Sequence, residues 1–202
     1  IWKTEDFFKN YDVLNNLYNE KKKIYNNVKI LPNKGHYALA ELEKLCNKKF
    51  LLITQNIDNL HKKAGSKKIL SMHGSLENLF CMYCGHSIPY DFQISTSYVC
   101  KNCGKSGKVR VDVVWFGEQP KYLEEIYNYL DNTDVFISIG TSNNVYPAAG
   151  FIDYLLHKKK KVETFEFNTE STSKTNFFDQ KFKGPSSITL PKFIKLIKQG
   201  IY

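Results

Sequence analysis

Four cysteines come in two pairs, Cys81-x2-Cys84 and Cys100-x2-Cys103, with fifteen residues between the pairs. A two-residue gap presents two sulfurs from one tight turn, and fifteen residues allow a short antiparallel ribbon to bring the two turns together. Cys84-Gly85 and Cys103-Gly104 supply the glycine that such turns favour. Four thiolates close the shell of one zinc ion and leave no position for water or substrate, so the metal is expected to be structural. Two disulfides are the alternative, but they suit small secreted domains, and 202 residues can form a core without them. The fifth cysteine, Cys46, lies beside Leu42 and Leu45 and is expected as a buried core thiol.

Three further groups of polar residues stand just after apolar runs. Phe50–Thr54 leads into Gln55-Asn56-Ile57-Asp58, Val135–Ile139 into Gly140-Thr141-Ser142, and Lys161–Phe167 into Asn168-Thr169-Glu170. Short continuous apolar runs are the mark of strands buried on both faces of a parallel sheet. Open α/β sheets bind ligands beyond the carboxyl ends of their strands.

Helical segments separate these strands. Thr4 to about Lys29 carries Phe7, Phe8, Tyr11, Leu14, Leu17, Tyr18 and Ile24 mostly three or four apart, and Leu31-Pro32-Asn33 breaks the run. A second helix places Ala38, Leu39, Leu42 and Leu45 on one face; others are expected over 121–130 and 147–157, the last with Phe151, Tyr154 and Leu155 inward. The fold class that follows is α/β: a Rossmann-like doubly wound parallel sheet. Its small domain consists of a helical insertion (1–33) and a zinc-binding module (79–111). Residues 34–78 and 112–202 form the two parts of the Rossmann-like domain.

Composition removes other classes. Hydrophobic content of 42% and charged content of 24% are those of a globular chain, and no apolar run is long enough to span a membrane. The net charge of +9 invites a nucleic-acid reading, but Arg110 is the only arginine among 29 basic residues. The lysines are dispersed among asparagines, isoleucines and tyrosines as a compositional bias, and the run Lys158–Lys161 reads as a solvated helix end. A nucleic-acid reader would show clustered arginines and stacking aromatics, so no specific nucleic acid is expected.

In order along the chain stand Thr54-Gln55-Asn56-Ile57-Asp58-Asn59-Leu60-His61, Ala64-Gly65, His73-Gly74-Ser75, the cysteine pairs, Val113-Val114-Trp115-Phe116-Gly117-Glu118, Gly140-Thr141-Ser142 and Asn168-Thr169-Glu170. This series closely resembles the sirtuin family of NAD-dependent protein-lysine deacylases. Tyr146-Pro147-Ala148-Ala149 and Phe167-Asn168-Thr169-Glu170 resemble its class III branch, which removes acidic acyl groups such as succinyl and malonyl.

The resemblance implies that His73 is the general base, NAD the co-substrate, and zinc a single structural ion on Cys81, Cys84, Cys100 and Cys103. An ordinary imidazole pKa of ~6.5 suits a base working near neutrality. It further implies that Gln55, Asn56, Ile57 and Asp58 hold the nicotinamide side of NAD, that Gly140, Thr141, Ser142, Asn168, Thr169 and Glu170 hold the adenosine side, and that Ser186 also binds NAD. Val114, Trp115, Phe116 and Gly117 would lie on a strand that pairs with an extended acyl-lysine peptide. His36 and His61 match the family pattern and are read as structural.

Two departures from the pattern matter. The family opens on a strand and a Gly-Ala-Gly phosphate loop, which nothing after Ile1 resembles, so the sequence is expected to be the N-terminally incomplete part of a longer protein. The branch reads the acyl carboxylate with Tyr-x-x-Arg, and here Tyr18 and Lys21 stand at those positions. A lysine offers a point charge where arginine offers a planar fork, so a carboxylate-bearing acyl group is still expected, with a smaller margin over acetyl. The alternatives are a mono-ADP-ribosyltransferase or NAD glycohydrolase on the same fold, and a basic zinc-ribbon module without enzymatic activity. The expected compartment is intracellular, the cytoplasm or, with the start of the chain absent, the mitochondrion.

Overall fold

The structure, a computed structural model, describes residues 9–27, 30–47, 49–95, 97–158 and 161–202. Phe7, Phe8, Lys29, Lys159 and Lys160, named above for a helix and a basic run, lie outside the described residues. In chain order the elements are α1 (Tyr11–Asn27), α2 (Lys34–Leu45), β1 (Leu52–Thr54), α3 (Leu60–Lys63), β2 (Ile69–Ser71), β3 (Gly74–Cys81), β4 (Ser87–Pro89), β5 (Val109–Val113), α4 (Leu123–Asp131), β6 (Val135–Ile139), α5 (Phe151–Leu156), β7 (Glu163–Asn168), β8 (Gln180–Lys183) and α6 (Ser186–Lys198). The chain forms two compact units. The first takes in 1–31, 53–60 and 70–121, the second 32–52, 61–69 and 122–202.

In the first unit β3 is the central strand of an antiparallel sheet, β4-β3-β5. Its core joins Tyr11, Leu14 and Tyr18 of α1 to Leu79, Val109, Val111 and Trp115. The expected apolar face of α1 is rotated. Leu17 and Ile24 are 39% and 58% exposed, whereas Asn19 is buried. Asn19 makes three hydrogen bonds there: its Oδ1 accepts from Tyr90 Oη (2.8 Å) and Ile94 N (3.0 Å), and its Nδ2 donates to Ile94 O (3.0 Å). A buried amide with three good hydrogen bonds carries little desolvation cost.

In the second unit β6, β7 and β8 pair in parallel in that order. Side chains alternate along β7, so Phe165 and Phe167 face α2 and α6 while Thr164 and Glu166 take the opposite side. Phe167 stacks on Phe182 at 4.5 Å and meets Phe193 edge-on at 5.2 Å. Asn33 caps α2 by accepting from Gly35 N (2.8 Å) and His36 N (3.3 Å), and His36 Nδ1 accepts from Asn33 N in return. Gly35 lets α2 meet α6, because a Cβ there would lie 3.2 Å from the Ser186 backbone.

Several expectations are corrected. The 50–54 strand is shorter, is mostly half-buried and pairs with β2. Leu45 is 44% exposed, and Cys46 is an exposed thiol at the end of α2, past the last turn that reaches the core. Tyr154 points outward, its hydroxyl donating to Asp131 at 2.6 Å. Val113–Glu118 is not a strand throughout: β5 ends at Val113, and Gly117 at φ +89° with Glu118 N donating to Trp115 O (3.0 Å) turns the chain. Among the described residues no helix is long and apolar enough to cross a membrane.

Gly74 is the tightest point of the first unit. It pairs with Val113 at φ +83°, and a Cβ there would sit 1.9 Å from the Asp112 carbonyl oxygen. Gly65, at φ +102°, has nothing within 4 Å of its Cβ position. Gly74→Ala is therefore expected to destabilise by about 2–4 kcal/mol, from overpacking against backbone plus strain. Gly65→Ala should show only the ~1–2 kcal/mol of a left-handed residue. Urea unfolding of the two variants checks this, and equal losses would remove the steric argument.

Candidate functional site

Each cysteine pair sits on the same turn. Gly85 N donates to Cys81 O and Gly104 N to Cys100 O, both at 2.8 Å, with the two glycines at φ +71° and +69°. The four sulfurs all lie within 4.8 Å of one another, Cys81 to Cys103 at 3.7 Å and Cys84 to Cys100 at 3.8 Å. Zn–S bonds of ~2.3 Å in a tetrahedron give S–S edges of about 3.8 Å. The cluster therefore fits one zinc ion, and all four cysteines are free of disulfides.

Charge in the cluster is unevenly held. A hydrogen bond from Asn102, with one from the His86 backbone, lowers the Cys84 thiol to about 6. At Cys103 the Lys105 N–H pulls downward, but burial and the neighbouring sulfurs prevail and push it up to about 12. Four adjacent thiols cannot all ionise without a cation, and a dication supplies it. Cys→Ala at any of the four should abolish the one equivalent of zinc read by metal analysis. It should also lower the unfolding midpoint by about 10 °C or more, at ~2–4 °C per kcal/mol for a chain of this size. A variant keeping both zinc and midpoint would remove that ligand.

His73 stands between β2 and β3. Its Nδ1 is 3.1 Å from Gln55 O. A carbonyl only accepts, so Nδ1 carries the proton and Nε2 is left as the basic lone pair. Backbone bonds fix the same stretch from both sides: Met72 N donates to Thr54 O (3.0 Å), Lys121 N to Met72 O (2.9 Å) and Val114 N to His73 O (2.9 Å). A register shift between Ser75 and Leu79 frees Leu76 N to donate to Ile57 O at 2.8 Å, which secures the Gln55–Asp58 loop. Within that loop Asn56 N donates to Thr54 Oγ1 (3.1 Å), and Asp58 Oδ1 accepts from Leu60 N (2.9 Å).

The residues expected to touch an acyl-lysine are brought together as follows. Trp115 Nε1 donates to Tyr18 Oη at 3.1 Å, and Lys21 Nζ lies 5.5 Å from the Tyr18 ring centroid. Burial pushes the Tyr18 hydroxyl above its ordinary 10.0, so it keeps its proton. With Trp115 occupying an acceptor site, that proton is free to be donated elsewhere. Trp115 is clamped by Arg110, whose guanidinium lies 3.9 Å from its ring and 4.6 Å from Phe80. Glu118 pairs with Arg110 and accepts from Trp115 N at 2.8 Å. Val114 is bonded to His73 O, Phe116 is 60% exposed, and Gly117 makes the turn.

The second unit holds an open groove of about 390 Å³, lined by Gly140, Phe167, Asn168, Thr169, Gly184 and Ser186 together with Asn33. Gly140 N donates to Phe167 O (2.8 Å), and Asn168 Nδ2 donates to Thr141 O (2.8 Å). Small residues and the N-terminus of α6 leave backbone exposed to a polar ligand there, the chemistry a ribose or phosphate takes. Ser142 and Glu170 are exposed and do not line this groove. Asn33 and Gly184 line it unforeseen; the Pro32-Asn33 pair before a helix was the available signal for the first.

A Rossmann-like α/β chain with a four-cysteine module, a carbonyl-oriented histidine and a polar groove at the strand ends defines a dinucleotide-using enzyme fold. The Sir2 family sequence profile matches residues 1–147. The chain belongs to the Sir2 family.

The NAD-dependent protein deacylase of Bdellovibrio bacteriovorus is 45% identical over 190 residues, covering 94% of this chain and 79% of that protein. The protein of the same name from Escherichia coli (strain K12) is 37% identical over 199 residues, 98% of this chain and 70% of its own length. Among solved structures, a Sir2 homolog–NAD complex is similar at TM-score 0.85 and 29% identity, covering 99% of this chain and 77% of that one. Sir2Af2 bound to a myristoylated histone peptide is similar at TM-score 0.77 and 32% identity, covering 100% and 85%.

Proposed function

We propose that this chain is an NAD-dependent protein-lysine deacylase that acts on acyl-lysine in proteins or peptides and prefers carboxylate-bearing acyl groups, succinyl or malonyl, to acetyl. The observation that carries the reading is the bond between His73 Nδ1 and Gln55 O, which leaves Nε2 as a fixed proton acceptor. NAD supplies a ribose carbon that the acyl oxygen attacks as nicotinamide departs. His73 then takes the proton of a ribose hydroxyl, and water completes the release of lysine with formation of 2′-O-acyl-ADP-ribose. The chain's part in this is to hold base, loop and substrate segment in fixed relation, which is where such catalysis finds most of its rate.

The acyl preference is supported by Tyr18 and Lys21. They lie one turn apart on α1, with the lysine over the tyrosine ring and the tyrosine proton available to an acceptor. An ammonium can pair with a carboxylate but makes only one of the two parallel bonds of a guanidinium.

Nicotinamide release from NAD should depend on added acyl peptide; release without peptide would turn the reading to a glycohydrolase. His73→Ala should lower peptide turnover by about 10²–10⁴-fold, the range of a general base, with the thermal midpoint retained. In a panel of acetyl, malonyl, succinyl and glutaryl peptides read by mass spectrometry, succinyl should exceed acetyl. Lys21→Arg should raise that ratio by about tenfold, since a bond to a charged group is worth ~1.5–3 kcal/mol. Lys21→Ala should bring the ratio to about one. An unaltered ratio in Lys21→Ala would remove Lys21 as the acyl reader.

A further inference from the structure

Glu166 is 4% exposed on β7 and faces away from the phenylalanine core. Among the described residues no ion pair to it is found. Three uncharged donors meet it instead: Asn143 Nδ2 at 3.2 Å and Thr172 Oγ1 at 2.9 Å on Oε1, and Thr175 Oγ1 at 2.6 Å on Oε2. A buried carboxylate is costly and is held only where its acceptors are filled. The donors come from two different loops, the one after β6 and the one after β7.

The hydroxyl orientations are not free. Thr175 Oγ1 already accepts from Thr172 N (2.7 Å), and Thr172 Oγ1 already accepts from Lys174 N (3.2 Å) and Asn143 Nδ2 (3.2 Å). Both lone pairs of Thr172 Oγ1 are filled, so its proton is directed at Glu166 Oε1 or at Thr175 Oγ1, 3.3 Å away, and the Thr175 hydroxyl stands 2.6 Å from Oε2. Asn143 is held at φ +55°, and its N–H donates to Thr141 Oγ1 (3.2 Å). Thr141 O in turn accepts from Asn168 Nδ2, whose residue lines the groove. The far loop is anchored again where Lys174 Nζ meets both oxygens of Asp153 at 2.9 Å.

We propose that Glu166 is a positioning residue for the adenosine side of NAD: its carboxylate sets the loops that carry Thr141 and Asn143, and through them Asn168, without touching the co-substrate. The inference rests on the reading of this chain as NAD-dependent. A glutamine in its place keeps the shape but aims its NH2 at one of these donors, which then loses Glu166 as an acceptor, and the bond that holds its loop is weakened.

The test is Glu166→Gln in the full chain, with ADP-ribose binding measured by calorimetry and initial rates measured against NAD and acyl peptide separately. ADP-ribose should bind about tenfold more weakly and KM for NAD should rise in proportion, while KM for the peptide stays within about twofold. Thr175→Val, which deletes one donor and keeps the volume, should shift the same two quantities by a smaller factor and keeps the test open if the glutamine variant fails to fold. Unchanged ADP-ribose affinity in a folded variant overturns the inference, as does an equal rise in both KM values with a lower midpoint, which is the mark of general loosening. If the parent chain binds neither ADP-ribose nor NAD, the NAD reading itself fails first, and the inference falls with it.

Discussion

The approach of β3 to β5 at Gly74 is the constraint on which the first unit depends. No side chain other than hydrogen fits there, because the Asp112 carbonyl occupies the Cβ position. The closeness is what lets Val114 N reach His73 O and holds the histidine's own backbone at the mouth of β3. With the backbone fixed, a single carbonyl, that of Gln55, is enough to choose the imidazole tautomer. The reactive lone pair is thus selected by main-chain geometry, through a carbonyl of the Gln55–Asp58 loop.

The same two strands carry the cysteine module at their other end. β3 closes on Cys81, which pairs with Val109 at the start of β5, seven residues from Gly74. A metal on the four sulfurs clamps the ribbon at that end, while the glycine permits contact at the other. The clamp fixes the Leu79–Cys81 part of the ladder, and the register shift between Ser75 and Leu79 separates it from the Gly74–Val113 pair next to His73. In a two-stranded ladder a slip of one residue would send each side chain to the opposite face.

The parts legible in the sequence were those whose chemistry is local. Cysteine spacing names its own turn, and the polar groups after β6 and β7 stand where strand ends place them. What failed was anything decided by a distant partner. Asn19 reads as a solvent residue, yet three bonds to Tyr90 and Ile94 bury it, and the helix turns so that Leu17 and Ile24 take the water side. β8 is not legible in the sequence because Gln180-Lys181-Phe182-Lys183 offers one apolar residue, and that Phe182 is tied to the core by its stacking on Phe167. Glu166 sits inside a run that otherwise spells a buried strand, and only the threonines beyond β7 reveal why a carboxylate is tolerated.

The composition itself carries a last physical distinction. In a chain whose basic residues are otherwise all lysine, arginine survives at position 110. That side chain is 3% exposed, lies between two aromatic rings, donates to Val113 O at 2.7 Å and pairs with Glu118. A flat, delocalised cation can stack on both faces while donating in its plane, and a tetrahedral ammonium cannot. Position 21 makes no such demand: it is exposed, and its contact with the Tyr18 ring needs only a charge at the end of a flexible stem. Lysine therefore occupies a position whose ring contact needs only a charge, and arginine the site where planarity holds Trp115, and with it the Tyr18 hydroxyl, in place.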